Sequence, residues 1–492
     1  MSKKAFIGRP SKGRAVGDVL FGDMDDRLLG SSLPFGGSRT GRESAMSEMR
    51  IPKQGGKGAP PPNPQAGRAA LREKPRGRTS VLVLGGGQLG RMLGEAAARL
   101  DIALTVLDPT PDCPAAATSA RQLVGSFRDD NDVLRAAGLE TDRGDSEPSE
   151  RPGEGGNSYS RRPEAVTVEI ESVSVEALDR ISAEGIPVHP APDVIRVIQD
   201  KLAQRRRAEA AGLPVPRFAA LPDPSMDPEG ATAVLRDFGR PAVQKLRFGG
   251  YDGRGVAMVP GLEETDRTGA GPSAADLPLA GPSLLEAPVD MEREISVLVA
   301  RTPTGQCRSY PAVEMEMDPE LHLVRAVLYP AEIPDATAYE ARRVAEAAVA
   351  DLNGAGIFAV ELFIARDGQV IINEIAPRPH NSGHLTIEAA ETDQYEQHLR
   401  GILGLPLGST RMHSAAAMVN LIGTDQDGPT VYHGYAKALA MDGVHLHLYG
   451  KHHCKPGRKM GHITAVADTR ETARERALRA AEVLTVQGDS SV

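Results

Sequence analysis

The chain holds only three cysteines in 492 residues, Cys113, Cys307 and Cys454, and none of them forms a C-x-x-C pair. That scarcity argues against a disulfide framework and a structural zinc site, and points to a reducing compartment. No apolar run approaches the roughly 20 residues that cross a bilayer, and no secretory apolar core is present, so no membrane partner is expected. No internal repeat appears. Positive charge is also short overall, with a formal net charge of −9. Residues 1–80 carry sixteen Lys and Arg against seven Asp and Glu, which leaves −18 for the remainder. An acidic body of this kind argues against nucleic-acid binding.

The basic head, residues 1–78, is rich in Gly and Pro and has no sustained period, so it is expected to be a disordered extension. Its basic, Ser-containing composition also fits an organelle transit peptide, although its seven acids count against that. The expected location is therefore the cytoplasm, or a plastid or mitochondrion if the head is a targeting segment. The length suggests about three domains.

What is present begins at "VLVLGGGQLGR", Val81 to Arg91. Four apolar β-formers run into Gly85, Gly87 and Gly90, spaced G-x-G-x-x-G, and a second strand, "IALTVLD", ends on Asp108. The pattern predicts a parallel α/β unit, with a helix N-terminus that could receive an anion and an acid that could hold a ribose. The spacing does not say which anion, so a dinucleotide and some other ligand both remain open here. A polar stretch, residues 141–164, reads as a surface insertion.

Three later segments carry chemistry. In "QKLRFGGYDGRG", Lys245 leads into a glycine-rich stretch suited to closing over phosphates; because the lysine precedes the glycines, this is not a P-loop. In "LLEAPVDMEREIS", Glu286 and Glu294 bracket a linker whose backbone could meet an adenine and whose carboxylate could take ribose hydroxyls. In "FAVELFIARDGQVIINEIAPRPHNSGH", Glu361 and Glu374 each interrupt an apolar strand, and Asp367-Gly368 signals a hairpin between them. If that turn has two residues, 366 faces 369 and Glu361 directly faces Glu374. Arg378, His380, Asn381 and His384 follow within seven residues.

A lysine strand with a glycine-rich lid, an adenine linker and paired acidic strand residues together resemble the ATP-grasp superfamily. "GGGQLGRML", "GGYDGRG", "INEIAPRPHNSGH", "MVNLIG" and "KPGRKMGHI" narrow the resemblance to the N5-carboxyaminoimidazole ribonucleotide synthase family, over roughly residues 79–485. The resemblance implies a mixed α/β fold: a parallel substrate-side domain over 79–195, an ATP-grasp domain with a small lid over 196–412, and a β-rich C-terminal domain over 413–492. It assigns the opening glycine loop to a substrate ribonucleotide rather than to NAD.

The resemblance also implies roles for individual residues. Lys201 and Lys245 would approach the ATP phosphates under a lid comprising Gly250, Tyr251, Asp252, Gly253, Arg254, Gly255 and Val256, with Tyr251 also reaching the substrate. Glu286, Ala287 and Val289 would hold adenine, Glu294 the ribose, and Asn373 would join Glu374 on the ATP side. Glu361 and Glu374 would bind Mg2+. Gln88, Leu89, Glu169 and Asn381 would touch aminoimidazole ribonucleotide, while Lys451, Arg458 and Lys459 would take its 5′-phosphate region. Arg378 and His380 would position bicarbonate or the carboxyphosphate made from it.

The implied partners are small molecules and a second copy of the chain in a homodimer, with coupling or fusion to the carboxylase/mutase that uses the product. Two positions depart from the family pattern: Met317 stands where His is frequent, and Lys455 where Arg is usual. The rivals are a formate-using glycinamide ribonucleotide transformylase, an NAD-dependent oxidoreductase built on Val81–Asp108, and an inactive ATP-sensing homologue.

Overall fold

The computed structural model describes residues 78–139, 162–250, 255–261, 272–318, 324–424 and 426–489. The basic head expected over 1–78 and the insertion expected over 141–164 lie almost wholly outside the described residues.

The apolar run of β1 (Thr79–Leu84) becomes the inner strand of a four-stranded parallel sheet, flanked by β2 (Ile102–Asp108), β3 (Arg121–Val124) and β4 (Ala165–Val168) in the order β3-β2-β1-β4. Such a run is apolar throughout because both faces of the sheet are covered. Val81 and Val83 pack with Met92 and Leu93 of α1 (Gln88–Arg99). Leu82 and Leu84 pack on the opposite side with α2 (Asp130–Ala136) and α3 (Val175–Ala183).

Helix α4 (Pro192–Gln199) ends at Asp200, whose carboxylate accepts from Leu202 N at 3.0 Å and so caps α5 (Lys201–Ala210). The cap fixes Lys201 as the first residue of α5. A small antiparallel sheet follows, with β5 (Phe218–Leu221), β6 (Ala242–Leu246), β7 (Val256–Val259) and β8 (Ser283–Glu286) in the order β5-β8-β6-β7. Helix α6 (Pro228–Phe238) covers one face of it.

The largest sheet has nine strands. Its ATP-grasp part comprises β9 (Met291–Arg301), β10 (Cys307–Ser309), β11 (Val313–Met317), β12 (Val324–Tyr329), β13 (Gly356–Ala365) and β14 (Val370–Ala376), with α7 (Asp335–Leu352) packed on one face. Beyond β12 the sheet continues into β15 (Ala415–Ile422), so it crosses the domain boundary expected near residue 412. Beside β16 (Gly428–His433), β17 (Val444–Leu448), β18 (His453–Cys454) and β20 (Thr485–Gly488), the C-terminal region holds β19 (Lys459–Ala467) and a terminal helix, Arg470–Val483. Among the described residues no helix is long and apolar enough to cross a membrane.

Candidate active site

Three elements meet on the face of β13 and β14 away from α7. Lys201, at the start of α5, places Nζ 2.5 Å from Glu374 Oε1. Lys245, on β6, reaches Glu286 Oε2 at 2.8 Å and donates to Asn373 Oδ1 at 3.2 Å. Asn373 in turn donates through Nδ2 to Glu294 Oε1 at 3.2 Å. The lysines are thus held beside acids from three different strands. Burial pulls the Lys245 ammonium below its ordinary range despite the pull of Glu286.

The hairpin behind this cluster differs from the expected one. Gly368 N donates to Ala365 O at 2.8 Å and Ala365 N to Gln369 O at 2.9 Å, so the loop holds three residues, Arg366, Asp367 and Gly368. Gly368 has φ +85°, the left-handed position such loops require. The odd loop would leave Glu361 and Glu374 out of register. A β-bulge then inserts Asn373 between Ile372, which pairs with Leu362, and Glu374, which pairs with Glu361. The two glutamates therefore face each other as expected, but by a different route. The bulge also turns the neighbouring side chains of Asn373 and Glu374 into the same site.

Burial, then the neighbouring Glu294 and Glu374 carboxylates, push Glu361 up to about 8. Burial would raise Glu374 as well, but the attraction and hydrogen bond of Lys201, followed by Lys245 and Arg205, bring it below its ordinary value. His380 Nε2 lies 3.4 Å from Glu361 Oε1. Its Nδ1 accepts from Ser382 N at 3.3 Å, which assigns the ring proton to Nε2, facing the glutamate. Ser382 Oγ, bonded to Ser296 Oγ at 2.8 Å, contacts the same Nδ1 at 2.9 Å. Burial, Arg378 and Lys459 drop His380 to about 3, so the imidazole is neutral.

An open recess of about 350 Å³ lies beside the linker after β8, lined by Ala287, Val289 and Asp290 with Val215, Arg217 and Arg366 among others, so apolar and charged groups share its walls. Ala287 N is already donated to Arg217 O at 2.8 Å.

On the other side of the site, Arg378 pairs with Glu171, donating through Nη2 to Oε2 at 3.1 Å, with Nε 2.8 Å from Oε1 as an ion-pair contact. Asn381 and Asn420 exchange amide hydrogen bonds at 2.8 and 3.1 Å. Glu169, just past β4, accepts from Gly87 N at 2.6 Å and from Gly90 N, both at the N-terminus of α1. Burial raises its carboxyl from the ordinary value, against the opposing pull of those two N–H groups. Asp108 turns into the same loop, accepting from Gly86 N at 2.9 Å and from Thr110 N at 2.8 Å. Both acids near the glycine fingerprint are thus engaged by the loop.

Family comparisons agree with this layout. Residues 79–139 match the ribonucleotide synthetase preATP-grasp domain, 206–395 the ATP-grasp domain, and 416–476 the phosphoribosylaminoimidazole carboxylase C-terminal domain. The chain is 38% identical over 397 residues to N5-carboxyaminoimidazole ribonucleotide synthase of Mycobacterium leprae, covering 78% of this chain and 83% of that one. The chain belongs to the N5-carboxyaminoimidazole ribonucleotide synthase family. It is also 36% identical to phosphoribosylaminoimidazole carboxylase of Schizosaccharomyces pombe, covering 80% of this chain but only 66% of that longer protein. A crystal structure of the Aspergillus clavatus synthase with ADP and 5-aminoimidazole ribonucleotide superimposes with a TM-score of 0.68 at 31% identity, covering 82% of this chain and 99% of that one.

The structure brings together Lys201, Lys245, Glu286, Glu294, Glu361, Asn373, Glu374 and His380. Gly250, Gly255 and Val256 are described, whereas Tyr251, Asp252, Gly253 and Arg254 lie outside the described residues. Lys451 donates to Lys459 O at 2.7 Å, and Lys459 is close enough to act on Glu361 and His380. Arg458 is exposed, with Nη1 donating to His453 O at 2.7 Å, so this structure does not draw its guanidinium into the cluster. Gln88 opens α1, and Leu89 follows it with its side chain in the core. Met317 is exposed at the end of β11, and Lys455 is exposed in the turn before β19.

Four residues on this surface escaped the sequence reading. Arg205, 3% exposed, places Nε 2.7 Å from Glu286 Oε1 and donates to the Asn373 carbonyl. Its place four residues after Lys201, on the same helix face, is the signal that could have found it. Glu171, Asn420 and Ser296 hold Arg378, Asn381 and Ser382 in turn; Asn420 is the polar residue of "MVNLIG", which could have marked it, whereas nothing in their local sequence distinguishes Glu171 and Ser296.

Proposed function

We propose that this chain uses ATP and bicarbonate to carboxylate the exocyclic amine of 5-aminoimidazole ribonucleotide, a step of purine biosynthesis. Bicarbonate oxygen attacks the γ-phosphorus, giving carboxyphosphate and ADP. The amine then takes the carboxyl group, directly or as released CO2, losing a proton as inorganic phosphate leaves. Lys201 and Lys245 neutralise the transferring phosphates, and the linker after β8 meets the base. Arg378, oriented by Glu171, and neutral His380, oriented by Ser382, position the bicarbonate-derived carboxylate. The protein's work is positioning, charge neutralisation and exclusion of water from a labile intermediate.

The opposed carboxylates of Glu361 and Glu374, with Glu294 nearby, are a hard-oxygen donor set that fits Mg2+. When bound, the ion supplies charge for the β- and γ-phosphates. The observation that carries the proposal is the meeting of both lysines, both glutamates and His380 on one face of β13 and β14. The deciding experiment is ADP release with and without bicarbonate and aminoimidazole ribonucleotide, with formate and glycinamide ribonucleotide as the alternative pair. Dependence on the first pair is expected, and turnover only with the second would overturn the proposal.

The family resemblance also supports a homodimer, checked by sedimentation. The greater length of the fission yeast relative supports coupling to the enzyme that consumes the product. The basic composition of residues 1–78 supports an organelle-targeting role, checked by fusing that segment to a reporter.

A further inference from the structure

We infer that the glycines of the G-x-G-x-x-G loop position the Glu169 carboxylate and do not serve to admit a phosphate. The inference rests on the proposed function for its substrate, though not for its geometry. A Cβ built on Gly85 would lie 2.4 Å from Glu169 Cγ, and one on Gly87 would lie 2.6 Å from Glu169 Oε1. One on Gly90 would lie 3.0 Å from Glu169 Oε2. The same side chain thus stands against all three positions of the fingerprint, while Gly85 is also held at φ +105° and Gly90 also lies against the Gly85 carbonyl, so Gly87 is the position where Glu169 acts alone.

The N–H groups of Gly87 and Gly90 each donate to a different oxygen of that carboxylate. The positive end of α1, which has no acid of its own in the first turn, is therefore answered by Glu169 from the neighbouring strand end. A phosphate brought to the same N–H groups would meet a carboxylate already in place. A carboxylate fixed this way accepts hydrogen bonds only, so it faces hydroxyl or amine donors of the ribonucleotide and repels its phosphate. The phosphate is left to cations elsewhere, where Lys451 and Lys459 lie together. The glycines are positioning residues that act through Glu169.

Gly87→Ala is the clean probe. Its φ of −73° suits alanine, and the three nearest atoms to the new Cβ all belong to Glu169. The test is a double-mutant cycle of Gly87→Ala and Glu169→Ala, read both by calorimetric binding of aminoimidazole ribonucleotide and by thermal unfolding. In the wild-type background, Gly87→Ala should weaken nucleotide binding about tenfold and leave the KM for ATP unchanged, the scale of losing a charge-assisted contact. In the Glu169→Ala background the same change should cost less than about twofold, because the obstructing side chain is gone. Equal losses in both backgrounds would overturn the inference. If Gly87→Ala alone fails to fold, recovery of folding in the double variant supports the inference and continued failure overturns it. Absence of nucleotide binding by the unaltered chain would strike the proposed function and leave the unfolding cycle as the test.

Discussion

Glu361 and Glu374 face each other across the β13–β14 ladder because Asn373 is one residue too many. The three-residue hairpin loop offsets the strands by one, and the bulge at Asn373 restores the offset immediately before the second glutamate. Two departures from regular pairing cancel at the position where chemistry needs alignment. The result opposes two carboxyl groups in one buried site, and with Glu361 pushed up to about 8 that side chain stays protonated near neutral pH until a cation joins the pair.

Glu361→Gln and Glu374→Gln should therefore both abolish magnesium-dependent ATP cleavage but shift stability in opposite directions. Without divalent ions and above about pH 8, where Glu361 is ionised, Glu361→Gln removes a repulsion and should raise unfolding stability by up to about 1 kcal/mol. Glu374→Gln also forfeits the Lys201 contact and should lower it. Urea unfolding in chelator, beside an ADP-release assay, reads both effects. Wild-type ATP cleavage in either variant would remove the metal assignment.

Arg458→Ala should weaken binding of the nucleotide substrate by about 1.5–3 kcal/mol, the range for a hydrogen bond to a charged group, and spare ATP. This requires the guanidinium to leave the His453 carbonyl when the substrate arrives. Lys459→Met should cost more, since Lys459 already acts on Glu361 and His380. Calorimetric titration with aminoimidazole ribonucleotide measures both, and unchanged affinity in Arg458→Ala would exclude that residue from the phosphate site.

Gly368→Ala tests the hairpin. A Cβ there meets nothing within 4 Å, so the whole effect is conformational strain at φ +85°. A loss of about 1 kcal/mol of unfolding stability is expected, with kcat/KM unchanged. No loss would mean that the loop relaxes to another turn.

Buried histidines should make the protein acid-sensitive above the carboxylate range. Burial, then His189, lowers His398 to about 3; its ring accepts from Ile357 N at 3.1 Å and meets Thr167 Oγ1 at 2.9 Å. A group depressed on folding contributes stability that is complete above its unfolded value near 6.5 and lost as pH falls from there toward 3. His380, His384 and His462 act in the same direction, whereas the raised Glu361 acts in the opposite one. The difference between wild type and His398→Gln isolates one proton: between pH 6 and 4 the variant's stability should fall less steeply, by about 1.4 kcal/mol per pH unit. Parallel curves would refute the assignment.

Features set by local pattern were legible in the sequence. The β1 run and its glycines, the lysine strand and the two interrupting glutamates each follow from a few neighbouring residues. Arg205 was legible only through its spacing of four from Lys201: "QRRRAEA" offers three arginines in a row, and the helix phase turns Arg205 inward while Arg207 pairs with Asp351. The Glu169 contact was equally hidden, since it joins positions about eighty residues apart across a polar insertion. The bulge could not be read either: inserting Asn373 leaves the apolar pattern of β14 nearly unchanged, and its evidence lies in pairing, not composition.

Arg205 holds Glu286, the last residue of the small sheet, with one edge of its guanidinium and the Asn373 carbonyl of the large sheet with another. A guanidinium is a rigid planar fork, so bonds on two of its sides fix two distances and two directions at once. The end of the small sheet and the bulged strand of the large one are therefore tied through a single buried side chain, and Arg205 is the clasp between the strand that carries Glu286 and the residue that restores the glutamate register.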